Sequence, residues 1–213
     1  MNHNRVFYFV IVLFCSIAIC SCSRAKVEHW PNGRIKSEIN KQDGKMNGIS
    51  TWYYENGVKQ LECTYVNDKL EGKLSRWNIM GKKVLEQDYV HDKLNGVSLM
   101  WNDDGVKISE ENYTNDVLNG IYRVWWNADR PKITGSYKNG KIDGEWNYFD
   151  ENENKVGNGN FDNGTGIQKA FFPNGKVECE THYVNNKKDG TERIFDEKGK
   201  LIKVDLFKNG EKQ

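Results

Sequence analysis

The sequence predicts an all-β protein: an elongated, single-layer antiparallel meander of about eight repeated β-hairpins, preceded by a targeting segment. Three observations carry this. Gly48, Gly72, Gly96, Gly120 and Gly144 stand 24 residues apart, then Gly166 follows after 22 and Gly190 after 24. Two aromatic columns share that period: Tyr53, Trp77, Trp101, Trp125, Phe149, Phe171 and Phe195, then Tyr65, Tyr89, Tyr113, Tyr137, Phe161, Tyr183 and Phe207. No segment keeps a 3.6-residue apolar period for three turns, which argues against helix. Self-similarity at a fixed period is the signature of a repeat architecture, in which stacked units bury what one unit cannot.

Residues 1–21 read as a signal peptide. Arg5 precedes an apolar run from Val6 to Cys20 that only Ser16 interrupts. Such a run is shorter than the ~20 residues of a spanning helix and fits a signal h-region; an uncleaved membrane anchor is the alternative. Ile19-Cys20-Ser21-Cys22 resembles a bacterial lipobox, with small Ser21 just before the cysteine that is acylated. The resemblance implies a lipid anchor on Cys22, a short tether over residues 22–28 and a repeat domain over 29–213. More than one acyl chain, at about 0.8 kcal/mol per buried CH₂, anchors a protein stably. Ser23 after the cysteine implies sorting to the outer membrane of the cell envelope.

Losing residues 1–21 leaves 30 basic and 30 acidic side chains, since Arg5 is the only charge removed. Interleaved charges without a basic stripe argue against nucleic acid as a partner. Cys63 and Cys179 are the thiols that remain besides Cys22, nearly five repeats apart, on the order of 45 Å along a flat sheet. A disulfide needs Cα atoms within about 7 Å, so none is expected. The repeat spacing also keeps these thiols, His29, His91 and His182 from converging on a zinc ion. No metal or other cofactor is expected.

Each repeat reads as a hairpin. Its first turn is Trp30-Pro31-Asn32-Gly33, Tyr54-Glu55-Asn56-Gly57 or Phe172-Pro173-Asn174-Gly175. Proline second and glycine fourth suit a type I turn closed by a left-handed glycine, a three-residue loop. A two-residue turn on Asn-Gly is the competing reading, and a one-residue slip would turn every side chain to the other face. The three-residue loop predicts that Trp77, Leu85, Gln87 and Tyr89 share a face, with both aromatic columns together. Glu62, Glu86, Glu110 and Glu180 then line a wet opposite face with Asp88, Asn112 and Ser136.

The second connection runs through Asn67-Asp68, His91-Asp92 and their equivalents, residues that tolerate positive φ and close a tight return. Leu70, Leu94, Leu118 and Ile142 are expected to tuck beneath the sheet edge. Connections this short make successive strands antiparallel neighbours. About sixteen strands at ~4.8 Å give a sheet on the order of 75 Å long, which twist coils into a trough.

Tyr53-Tyr54-Glu55-Asn56-Gly57 and Tyr137-Lys138-Asn139-Gly140-Lys141-Ile142-Asp143-Gly144 resemble the MORN repeat in its bacterial variant form, over about residues 29–210. The resemblance implies an elongated sheet of hairpins. Bacterial chains of such units are similar to the YwqK family, described as antitoxins of toxin–antitoxin systems. Three places depart from the pattern: Asp129-Arg130-Pro131 replaces a turn glycine, Glu151-Asn152-Glu153-Asn154 replaces Asn-Gly, and the chain is two residues short at Asn163-Gly164.

The expected function is non-enzymatic: a lipid-anchored envelope scaffold that binds a protein partner, including a toxin in an antitoxin or immunity role. The candidate binding surface is Trp77, Trp101 and Trp125 with Tyr65, Tyr89, Tyr113 and Tyr137. The same columns offer an alternative as platforms for an envelope glycan or a lipid headgroup. Against both stands the reading that the rings are simply the core of a one-layer sheet. Glutamates on alternate strands lie ~9.6 Å apart, too far for one cation to bridge. His91 and His182 lack a nucleophile or carboxylate at a defined spacing.

Overall fold

The computed structural model describes residues 24–213, so the signal peptide, the lipobox and Cys22 lie outside the described residues. Repeat 1 is β1 (Arg24–His29) with β2 (Ile35–Gln42), and repeat 2 is β3 (Lys45–Tyr53) with β4 (Lys59–Val66). Repeats 3 and 4 are β5 (Lys69–Trp77) with β6 (Lys83–Val90), and β7 (Lys93–Trp101) with β8 (Lys107–Thr114). Repeats 5 and 6 are β9 (Val117–Trp125) with β10 (Pro131–Lys138), and β11 (Lys141–Phe149) with β12 (Lys155–Asp162). Repeats 7 and 8 are β13 (Thr165–Phe171) with β14 (Val177–Val184), and β15 (Lys187–Phe195) with β16 (Leu201–Lys208). A two-residue β17 (Glu211–Lys212) closes the series.

Every strand pairs antiparallel with the next one in sequence, so the seventeen strands make one open meander. This is the predicted fold class. Pairing starts at Arg24, so most of the expected tether is strand, with Lys26 opposite Ile39 and Glu28 opposite Ser37.

The first loop takes the three-residue form. The Gly57 N–H donates to Tyr54 O at 2.9 Å, Tyr54 N–H donates to Val58 O at 2.8 Å, and Gly57 sits at φ 88°. Repeat 6 keeps a left-handed residue there, with Glu153 at φ 64° in place of glycine, whereas the loop of repeat 5 closes without one: Arg130 N–H donates to Asn127 O at 3.3 Å. The second connection is a two-residue turn with both residues left-handed, Asn67 at φ 51° and Asp68 at φ 69°. That is the type I′ geometry whose twist matches the flanking strands.

The expected arrangement of faces is corrected. Just past each three-residue loop the second strand carries one extra residue. Trp77 pairs with Lys83, but Arg76 pairs with Leu85, and Val84 has no partner of its own. Repeats 2 and 4 skip Gln60 and Ile108 in the same way. A β-bulge of one residue turns everything beyond it to the opposite side. Leu85, Gln87 and Tyr89 do share a face, whereas Trp77 lies on the other one. The two aromatic columns are therefore on opposite sides of the sheet.

One side, here the glutamate face, carries Glu62, Glu86, Glu110 and Glu180 together with the first aromatic column. Tyr53 marks this arrangement, since its hydroxyl donates to Glu38 Oε2 at 2.8 Å. The other side, the tyrosine face, carries the second column, with Tyr89 donating to Gln87 Oε1 at 3.1 Å.

A second irregularity follows each type I′ turn. Tyr65 pairs with Leu70, yet Cys63 pairs with Leu74, so β5 holds two extra residues. An even shift leaves the faces unchanged. Leu70, Leu94, Leu118 and Ile142 consequently stand opposite the tyrosines, half-buried on their face, instead of lying beneath the sheet edge. Between β12 and β13 the pairing is uninterrupted from Asp162–Thr165 to Gly157–Ala170. The two residues missing near Asn163-Gly164 are the ones that form this irregularity elsewhere.

Both margins of the sheet are tied from repeat to repeat. On one, Leu70 N–H donates to Asp92 Oδ1 at 2.7 Å and Asp92 N–H donates to Leu70 O at 3.0 Å. On the other, Asn56 Nδ2 donates to Ile79 O at 3.0 Å. The tyrosine face is the more enclosed of the two: it holds Ser37, Ser50, Cys63, Ser98, Ser109, Trp146, Phe161 and Thr181, all buried.

Candidate functional site

Bulge, loop and turn together place the candidate residues on two surfaces. Trp77, Trp101 and Trp125 end their strands on the glutamate face, each beside a bulge lysine. Lys59 Nζ lies 5.1 Å from the centre of the Trp77 ring, Lys83 lies 5.7 Å from Trp77 and 6.0 Å from Trp101, and Lys107 lies 4.5 Å from Trp125. The same ammonium groups bond glutamates three residues on: Lys59 to Glu62 at 2.6 Å, Lys83 to Glu86 at 2.6 Å and Lys107 to Glu110 at 3.1 Å. Lysine thus serves ring and carboxylate at once, cation–π on one side and ion pair on the other. Hydrogen bonds from Lys83, then from Lys73, hold the Glu86 carboxyl below the usual glutamate range. Lysines cover these three rings, which argues against their use as open stacking platforms.

Tyr65, Tyr89, Tyr113 and Tyr137 lie on the opposite face. Burial pushes the Tyr65 hydroxyl up to about 12 and raises Tyr89, Tyr113 and Tyr137 as well. For Tyr113 a second cause is Glu111, whose Oε2 accepts its hydroxyl at 2.5 Å. Carboxylates are therefore not confined to the wet side. Glu192 is also on the tyrosine face, bonded by Thr181 at 3.0 Å and by Lys188. Tyr137 differs from the other three, because it packs edge-on to Trp146 with ring centres 5.1 Å apart. Trp146 also meets Tyr122 at 5.5 Å and Tyr148 at 6.4 Å, and these rings are core.

Repeats 2 and 3 leave the tyrosine face open. A groove of about 440 Å³ runs across β3 to β6, lined by Trp52, Leu61, Leu74, Arg76, Leu85 and Tyr89. Gln60 and Gln87 border it. Arg76 is exposed and makes no side-chain hydrogen bond or ion pair among the described residues. An unpaired guanidinium set in aliphatic and aromatic walls is suited to hold a carboxylate presented by an apolar ligand segment. Of the expected residues only Tyr89 belongs to this groove. Trp52 and Arg76 escape the sequence reading because they share a column that reads Trp52, Arg76, Met100, Val124, with no constant chemistry to notice.

The remaining chemistry-bearing groups stay apart. His91 caps a turn, where its backbone N–H donates to Glu71 Oε2 at 2.9 Å, and His182 Nδ1 sits 2.9 Å from Thr191 O. Cys63 and Cys179 are free thiols on β4 and β14, one buried and one half-buried. Burial pushes the Cys63 thiol up, opposite to what a reactive thiolate requires. Among the described residues no three His, Cys, Asp or Glu side chains gather as a metal site. No described helix is long and apolar enough to cross a membrane.

Residues 46–67, 165–185 and 188–209 match the MORN repeat variant family. Three hairpins carry the match. They are repeats 2, 7 and 8, each a strand, a three-residue loop and a returning strand. Repeats 3 and 4 have the same loop and the same bulge. MORN repeats generally mediate protein or membrane-lipid interaction and are generally non-enzymatic binding modules. No curated protein matches the chain.

Proposed function

We propose that this chain is a non-enzymatic interaction scaffold of the bacterial cell envelope. Acylated Cys22 holds it to the outer membrane, and the tyrosine face of repeats 2 and 3 docks a protein partner. The observation that carries the reading is Arg76, a cation with no ion pair among the described residues that is set inside a groove walled by Trp52, Leu61, Leu74 and Leu85. Its partner presents an aliphatic or aromatic segment with a carboxylate at the depth of Arg76. Neutralising a toxin by covering such a segment is the finer form of this reading, and it rests on the family resemblance.

A photo-reactive amino acid at Leu74, on the tyrosine face, and at Lys73, on the glutamate face, tests the docking side in intact cells. The expected result is a discrete adduct from position 74 that Arg76→Glu abolishes while the circular dichroism spectrum is unchanged. An adduct from position 73 alone, or one indifferent to Arg76→Glu, contradicts the reading. Cys22→Ser is expected to end incorporation of labelled fatty acid and to release the protein from membranes.

A further inference from the structure

We propose that a second, separate site on the glutamate face of repeats 6 and 7 binds a neutral sugar ring. Here the lysine–glutamate ladder is interrupted, resuming with Lys169 and Glu180 in repeat 7. The row that carries Glu62, Glu86 and Glu110 in earlier repeats has Asn158, and the column of Asp88 and Asn112 has Asn160. Across β11 to β14 this face opens into a pocket of about 700 Å³ lined by Glu145, Asn158, Asn160, Ile167, Phe171 and Val177. That volume lies within the roughly 300–1,000 Å³ usual for small-molecule sites.

Register fixes the layout. Asn160 stands between Glu145 on β11 and Ile167 on β13, and Asn158 stands between Asn147 and Lys169. Phe171 lies opposite Val177 at the end of β13. Unlike Trp77, Trp101 and Trp125, the Phe171 ring has no lysine over it.

The amides have nothing to do within the fold, and the missing residues explain why. In repeats 4, 5 and 7 the side chain in the Asn160 column bonds a carbonyl beside the irregularity after the type I′ turn. Asn112 Nδ2 donates to Ile121 O at 3.1 Å, Ser136 Oγ donates to Asp143 O at 2.8 Å, and His182 Nδ1 lies 2.9 Å from Thr191 O. The shortened connection at β12–β13 removes that irregularity, so Asn160 has no such carbonyl to meet. Neither Asn158 nor Asn160 has a side-chain hydrogen bond in the described chain, and the neighbouring Asn147 Oδ1 is buried without a partner. Lys169 is engaged by Glu180 at 3.4 Å, while Glu145 reaches only Lys155, at 3.9 Å.

These groups select the ligand class. Glu145 opposes an anion, and the one cation at the pocket is already paired. A wholly apolar ligand would leave the amides without partners. A pyranose meets both demands, setting its C–H face against Phe171, Ile167 and Val177 and its hydroxyls against two amides and a carboxylate. The site is on the opposite face from the protein-docking groove and stands independently of it.

Calorimetric titration of the full chain in detergent micelles with tri-N-acetylglucosamine, with maltotriose and with the corresponding monosaccharides tests the proposal. Saturable binding of at least one sugar is expected, with an oligomer preference marking a glycan and equal monomer binding marking a free sugar. Asn158→Ala with Asn160→Ala should weaken it at least tenfold, Phe171→Leu should weaken it several-fold, and Trp77→Ala should leave it unchanged. Absence of binding by all probes at millimolar concentration overturns the proposal. So does binding that survives both the double substitution and Phe171→Leu.

Discussion

Repeats 2 to 4 and repeats 5 to 6 solve the same problem in two ways. A one-layer sheet has no second layer to cover it, so each stretch must make its own interior. In repeats 2 to 4 the centre of the tyrosine face holds small or slender residues, Ser50, Cys63 and Ser98, and the opposite face is held by lysines shared between rings and glutamates. In repeats 5 and 6 the same central row holds Tyr122 and Trp146, with Phe161 beside it. Glycines make room for them: a Cβ on Gly135 would lie 2.3 Å from the Trp146 ring. One backbone template thus carries either a charged ladder of small increments or a local aromatic core. The consequence is unequal cooperativity along the ribbon, with the centre of the molecule as its best-packed part.

The largest test of that contrast compares two tryptophans. Trp146→Ala removes a ring that is 3% exposed and should cost about 3–5 kcal/mol in denaturant unfolding. Trp101→Ala removes a half-exposed ring under a lysine and should cost no more than about 2 kcal/mol. Equal losses would break the comparison.

Alkaline titration sharpens it. Burial pushes the Tyr148 and Tyr65 hydroxyls up to about 12 against an ordinary value of 10.0. A raised folded-state pKa stabilises fully below the unfolded value and is lost as pH climbs through the folded one. Stability should therefore be flat to about pH 10 and fall between 10 and 12, with the ultraviolet signal of these tyrosines rising together with loss of the β-sheet spectrum. Early ionisation of every tyrosine, with the sheet intact, would show that the tyrosine face is open throughout.

The smallest effect belongs to the ladder. Lys83→Ala should cost about 1 kcal/mol or less, and less again at 1 M salt, because the pair is partly exposed. The Glu86 carboxyl is held below its ordinary 4.5 by Lys83 and Lys73, so its contribution is present above 4.5 and disappears as pH falls through the lower folded value. Removing Lys83 should flatten the acid limb of the stability curve.

Much of the fold was legible because its determinants are local. The 24-residue period, the three-residue loop at Pro31 and Pro173, and the Asn-Asp returns each follow from φ requirements that few residues meet. The faces were not legible, because the bulge that sets them has no such requirement. Its extra residue is Gln60, Val84, Ile108 or Lys132 in successive repeats, none of them at positive φ, so the position leaves no mark in the sequence. The seven candidate rings therefore read as one surface and proved to be two. Asn160 was silent for another reason, since its freedom comes from residues that are absent from the connection beyond it.

The bulge-shifted register is the claim on which both proposed surfaces stand, and paired cysteines test it directly. Arg76→Cys with Leu85→Cys places thiols on directly opposed residues, within the ~4.4–6.8 Å Cα separation a disulfide needs. Ser75→Cys with Leu85→Cys places them on opposite faces. Peptide mapping after mild oxidation should find the 76–85 bridge in high yield and no 75–85 bridge. The reverse outcome would restore the unshifted register and return both aromatic columns to one face.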